Sequence, residues 1–171
     1  TFASNGSTLV YTNTQNLYTV DRLDPATGER RTLYESRRPI TVPTLSPDGE
    51  QLAFFGRTAE GIHLLVLSLA DGVLRQVTRR QGEMNVHPRW TSDGRQLLYY
   101  QEEPTLSLRR IAVDGGLSTE VLPNMSWSEQ TRVELSPGDR FLSYSLRRGG
   151  EIAEARVRDL ETGVEWTLAE P

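Results

Sequence analysis

Three apolar positions recur four times along this chain at a single set of offsets. Leu9, Leu52, Leu97 and Leu142 lie 43, 45 and 45 residues apart. Tyr11, Phe54, Tyr99 and Tyr144 follow them by two residues, and Phe2, Leu45, Trp90 and Leu135 precede them by seven. One recurring position is a coincidence; three sharing one series mark a structural repeat. A repeat constrains the fold more than any local signal, because each unit buries its apolar face only against its neighbours.

Within each unit the residues read as four short strands. A turn separates the first two apolar positions: Ser4-Asn5-Gly6, Pro47-Asp48-Gly49, Ser92-Asp93-Gly94 and Pro137-Gly138-Asp139. Asn-Gly and Asp-Gly accept the positive φ angles of tight turns. The fourth copy reverses the order, so another turn geometry is expected there. The Leu-x-Tyr/Phe that follows has the period of a strand buried on one face. A second hairpin then turns at Asp24–Gly28, Asp71-Gly72, Gly115-Gly116 and Thr162-Gly163. Glu151–Leu160 is rich in helix formers. It nevertheless fills the third-strand slot, and Ala153, Ala155 and Val157 alternate, so a strand is expected. Four strands in meander order within about 40–45 residues are the signature of a β-propeller blade. The fold class is all-β: a β-propeller of four four-stranded antiparallel blades, over about residues 1–34, 43–78, 88–122 and 131–169. These form one domain or part of a larger propeller.

Composition removes several functions. The 171 residues suit one domain, at about 150 residues per domain. With 0 Cys there is no disulfide framework, no thiolate-held zinc and no thiol nucleophile. No apolar run reaches the ~18–20 residues of a membrane span. A net charge of −4 argues against nucleic acid as a partner. All 19 basic residues are Arg; this reflects codon usage, or carboxylate or phosphate recognition if the arginines cluster. The chain starts at Thr1 without a targeting segment, which suggests a piece of a longer or processed protein.

At this point the repeats acquire a family. Thr44–Phe54 (TLSPDGEQLAF) resembles the repeat of TolB-type β-propellers, and Pro88–Leu97 (PRWTSDGRQL) matches equally well. Leu74–Thr78 is similar to the family's blade-closing strand. The resemblance covers nearly the whole chain. It implies rings of six or more blades, so four blades form an open arc. The remaining blades would then come from a longer parent chain, or a homodimer would complete an eight-blade ring. It also implies that the innermost strands, with Phe2, Leu45, Trp90 and Leu135, line a central channel. The Asp-Gly turns then lie on one face as structural elements, and the blade linkers on the other. The family's setting implies a bacterial protein outside the cytoplasm, in the periplasm.

Loops on a rigid scaffold carry binding residues, and Trp, Met and Arg are enriched in interfaces. The expected binding residues are Arg37, Arg38, Met84, His87, Met125, Trp127, Arg147 and Arg148. Met125 and Trp127 equally suit the role of plugs between adjacent blades. Catalytic motifs are missing: no H-E-x-x-H, G-x-S-x-G, Gly-rich phosphate loop or EF-hand occurs. His63 sits in an apolar strand run and reads as a packed side chain. Glu102-Glu103 reads as a solvated loop pair. No catalytic residue, metal ligand or cofactor is assigned. The expected function is a non-enzymatic scaffold that binds a protein or peptide through linker loops on one face. The alternative is the propeller portion of an enzyme, such as the gating domain of a prolyl-oligopeptidase-like peptidase. An oligogalacturonate lyase, whose propeller uses metal and histidines, fits less well with two unclustered His.

Overall fold

A computed structural model describes residues 2–4, 9–14, 17–79, 88–102, 105–125, 133–148 and 151–169. Its sixteen strands form four four-stranded antiparallel sheets, each in chain order. The first contains β1 (Phe2–Ser4), β2 (Leu9–Thr14), β3 (Tyr18–Leu23) and β4 (Arg30–Ser36). The second contains β5 (Ile40–Leu45), β6 (Gln51–Arg57), β7 (Ile62–Ser68) and β8 (Leu74–Gln76). The third contains β9 (Arg89–Trp90), β10 (Gln96–Gln101), β11 (Ser107–Ala112) and β12 (Thr119–Leu122). The fourth contains β13 (Val133–Leu135), β14 (Phe141–Arg148), β15 (Glu151–Asp159) and β16 (Glu165–Ala169). No helix is present among the described residues. The helix formers of Glu151–Asp159 form β15 because that segment pairs with β14 on one side and β16 on the other. Tertiary pairing overrides intrinsic propensity there.

Three apolar seams hold the sheets together. In the first, Val20 of β3 packs with Ile40, Leu52, Phe54, Leu65 and Leu67 of the second sheet. In the next, Ala53, Phe55, Leu64 and Val66 meet Leu97, Tyr99 and Ile111. In the last, Leu98, Tyr100, Leu108 and Leu122 meet Val133, Leu142 and Tyr144. The alternation of strand side chains explains the pattern: Leu52 and Phe54 face the preceding blade, while Ala53 and Phe55 face the next. Leu52, Leu97 and Leu142 are fully buried; the side chain of Leu9 lies outside the described residues. Trp90 is half-buried at the inner edge of its sheet, packed against the seam between the second and third blades. Among the described residues no apolar cluster joins the fourth sheet to the first. The fourth sheet leaves Phe141, Trp166 and Leu168 exposed.

Candidate functional site

The propeller has two chemically distinct ends, set by strand direction. Each innermost strand runs from a blade linker toward the first tight turn of its blade. One end therefore collects tight turns, and the other collects linkers and the loops between second and third strands.

At the turn end, the second and third blades use the same device. Gly49 N–H donates to Ser46 O and Gly94 N–H to Thr91 O, both at 2.9 Å. The hydroxyls of Ser46 and Thr91 donate to Asp48 and Asp93, and each carboxylate also accepts a main-chain N–H, from Glu50 and Arg95 respectively. These bonds hold both carboxyls below the ordinary value of 3.8, the hydroxyl contributing most. Asp24 and Asp159 accept main-chain N–H bonds in the second hairpins of the first and fourth blades.

The fourth blade departs from this device, and its Gly-Asp order explains how. Gly138 has φ +78 after Pro137, the pattern of a type II turn, whereas Asp48 and Asp93 have no positive φ. Asp139 takes the place of Gly49 and Gly94, at φ +60. Its carboxylate no longer serves its own turn. It accepts from Ser92 N–H at 2.6 Å and Ser92 Oγ–H at 2.9 Å, across the seam to the third blade.

Beside these turns lies a depression of about 480 Å³ lined by the ends of β5, β9 and β13. Leu45, Trp90 and Leu135 all face it. Its polar groups are already engaged with one another. Trp90 Nε1–H donates to Thr44 O at 3.0 Å, Arg89 pairs with Glu134 at 2.9 Å, and Ser92 is held by Asp139. The depression is stitched across three blades.

A third polar cluster lies on the outer strands of the fourth blade. Tyr144 Oη–H donates to Glu165, and Arg156 bonds Glu154 at 2.7 Å and Glu165 at 2.9 Å. Burial, then the Glu165 bond, pushes the Tyr144 phenol up to about 12. Arg158 lies 3.7 Å from Glu165, so two guanidiniums balance the two carboxylates of this cluster. Arg109 and Arg110 diverge as strand neighbours must: Arg109 bonds Ser118 Oγ at 2.8 Å and lies 3.6 Å from Glu120.

The linker end looks different. Arg37 and Arg38 are exposed between β4 and β5. Arg38 donates a guanidinium N–H to Thr58 O in the β6–β7 loop. Met125 is half-buried against the seam between the third and fourth blades, and its N–H donates to Leu106 O at 2.7 Å. Arg147 and Arg148 end β14, where their main chains pair with Ile152 and Glu151. Met84, His87 and Trp127 lie outside the described residues. The Arg37–Arg38 pair and Met125 thus share an end of the molecule but belong to different seams. His63 is fully buried within β7. Among the described residues no group of three His, Cys, Asp or Glu side chains gathers as a metal site. Leu45, Trp90 and Leu135, expected to line a central channel, meet at this depression, whereas the Ser92–Asp139 stitch is not anticipated from sequence. The reversed Gly-Asp order was the available signal, since it frees a carboxylate from its own turn.

Four meandering four-stranded sheets packed face to face through apolar seams define a stretch of β-propeller. Several known proteins share this fold. No family model matches the sequence. A curated relative, the TolB homolog of Chlorobium luteolum, is 29% identical over 141 residues, covering 80% of this chain and 30% of the relative. The crystal structure of TolB from Acinetobacter baumannii superposes with a TM-score of 0.78 at 17% identity, over 99% of this chain and 43% of that one. A prolyl endopeptidase gives a TM-score of 0.75 at 16% identity, over 100% of this chain and 29% of the enzyme. The sequence is thus similar to that of a TolB homolog and the fold to the propellers of TolB and of a prolyl endopeptidase, and the chain spans less than half the length of each of these proteins.

Proposed function

We propose that this chain is the propeller portion of a TolB-like protein that binds a protein or peptide partner, without catalysis, outside the cytoplasm. The proposed contact surface is the linker end: Arg37 and Arg38, with Met84, His87, Met125, Trp127, Arg147 and Arg148 contributed by the other linkers and loops. The observation that carries this reading is the contrast between the ends. The polar groups around the turn-end depression are spent on each other, whereas the Arg37–Arg38 linker presents guanidiniums to solvent. Arg in a loop on a rigid scaffold is a frequent interface anchor. A second reading, the gating domain of a peptidase, is favoured by the endopeptidase likeness over the whole chain.

A displayed peptide library selected on the purified chain tests the first reading. Selected peptides should lose affinity for a chain carrying Arg37→Ala and Arg38→Ala, and keep it for one carrying Ser92→Ala. Loss confined to Ser92→Ala would move the site to the turn end. Cleavage of prolyl peptides, restored when a hydrolase domain from the parent protein is added, would favour the gating reading.

A further inference from the structure

The charge of this molecule is segregated along the propeller axis. Asp24, Asp48, Asp71, Asp93, Asp114 and Asp139 stand in turns at the turn end, and Asp159 ends β15 there. Near that end Arg30, Arg75, Arg89 and Arg140 pair with Asp21, Asp114, Glu134 and Asp159, Arg22 and Arg95 stand in the field of Asp24 and Asp93, and Arg31 alone of these has no acidic partner among the described residues. The opposite corner of the second blade carries Arg37, Arg38, Arg57 and Arg79, all exposed. Strand register gathers them. Ile40 pairs with Gly56 and Arg57 with Ile62, so Arg38 and Arg57 leave neighbouring strands at the same edge. Val77 N–H bonds Leu64 O, which brings Arg79 out beside the start of β7. Arg37, Arg57 and Arg79 form no ion pair with any described residue, and Arg38 is anchored on a carbonyl, Thr58 O. Among the described residues Glu35 and Glu60 are the carboxylates of this corner, two against four guanidiniums.

We infer that this corner docks an acidic peptide segment with carboxylates at alternate positions. The inference rests on the partner-binding reading and names the chemistry of the partner. Guanidinium pairs with carboxylate in a two-pronged, directional geometry that few other groups match. Neighbouring strands lie about 4.8 Å apart, so the corner spans three spacings from the β5 edge to the β8 edge. An extended segment of four or five residues covers that width at about 3.3 Å per residue, with alternate side chains facing the protein. The acidic turn end and net charge of −4 oppose a broad polyanionic surface. They leave room for a short acidic strand at this one corner.

The test uses the whole 171-residue chain and a fluorescein-labelled decapeptide with Glu at every second position and Ser between, read by anisotropy. The wild-type chain should bind it, more weakly as salt is raised. Arg37→Ser, Arg57→Ser and Arg79→Ser together should weaken binding about tenfold, about 1.4 kcal/mol. The same three sites changed to Lys should recover only part of it. Arg22→Ser, Arg31→Ser and Arg95→Ser change the net charge equally and should leave binding unaltered. Thermal melts verify that all three triple variants fold. Equal weakening by the two serine triple variants overturns the inference, as does absence of binding to the wild-type chain, or equal binding of phosphatidylserine vesicles or duplex DNA. Equal binding of the matched Gln peptide, still lost with Arg37→Ala and Arg38→Ala, overturns the acidic chemistry and leaves the partner-binding surface standing.

Discussion

The turn end and the linker end of this propeller use similar polar residues for different purposes. At the turn end, Asp48, Asp93 and Asp139 are consumed by hydroxyls and main-chain N–H groups, and Arg89 by Glu134. These residues shape hairpins and stitch blades. At the linker end, Arg37, Arg57 and Arg79 are matched by no described carboxylate. The difference follows from what each end must do to fold. A tight turn needs local acceptors for its N–H groups. A linker between blades needs only to span a gap, so its polar residues are free for other uses. Charge alone does not mark a site; charge left over after the fold has been satisfied does.

The largest expected effect lies in the seams that carry both ends. Leu97 is fully buried between the second and third blades. Leu97→Ala should lower stability by about 2–5 kcal/mol, seen as a lower urea midpoint. An unchanged midpoint would mean that the seam is not the element both ends depend on. Next comes the cross-blade stitch. Asp139→Ala loses both Ser92 bonds and keeps a side chain at φ +60, for a cost of about 1–2 kcal/mol. Asp139→Gly loses the same bonds without the backbone penalty and should cost clearly less. Equal costs would show that the backbone conformation contributes nothing.

Acid should separate the two ends. The lowered carboxyls of Asp48 and Asp93 add stability that is present above their ordinary value of 3.8 and lost as pH falls through their folded values. Arginine does not titrate in that range. On acidification, exchange at the Glu50 and Arg95 amides, which these carboxylates hold, should accelerate relative to free peptide. Exchange at strand amides near Arg57 should not. A uniform response across the molecule would remove the distinction. Smallest of all is the stability effect of Arg57→Ala or Arg79→Ala, within about 0.5 kcal/mol for an exposed side chain free of such features. A larger loss would show that these arginines serve the fold after all.

The strands were legible because a repeat carries its own register. Leu52, Leu97 and Leu142 could be placed in equivalent slots, and β15 could be recognised against the helical preference of its own residues. What stayed hidden was contact between units. The repeat says that Trp90 is equivalent to Leu45 and Leu135. It does not say that the Trp90 indole N–H reaches Thr44 O in the neighbouring blade. Nor does the Gly-Asp reversal announce where the freed carboxylate goes; Ser92, 47 positions earlier in the chain, is near only once two blades are packed. Residue type and loop position single out Arg37 and Arg38 as candidate binding residues. They do not mark Arg57 and Arg79 as neighbours of that pair, because the shared corner arises from strand pairing.

Hydrogen exchange of the whole chain, with and without a peptide selected on it, tests the division between the two ends most directly. Protection should appear at Arg37–Ile40 and Arg57–Ile62, with Arg89–Ser92 and Glu134–Asp139 unchanged. Protection confined to Arg89–Ser92 and Glu134–Asp139 would place the partner in the turn-end depression and contradict the assignment of the linker end as the binding surface.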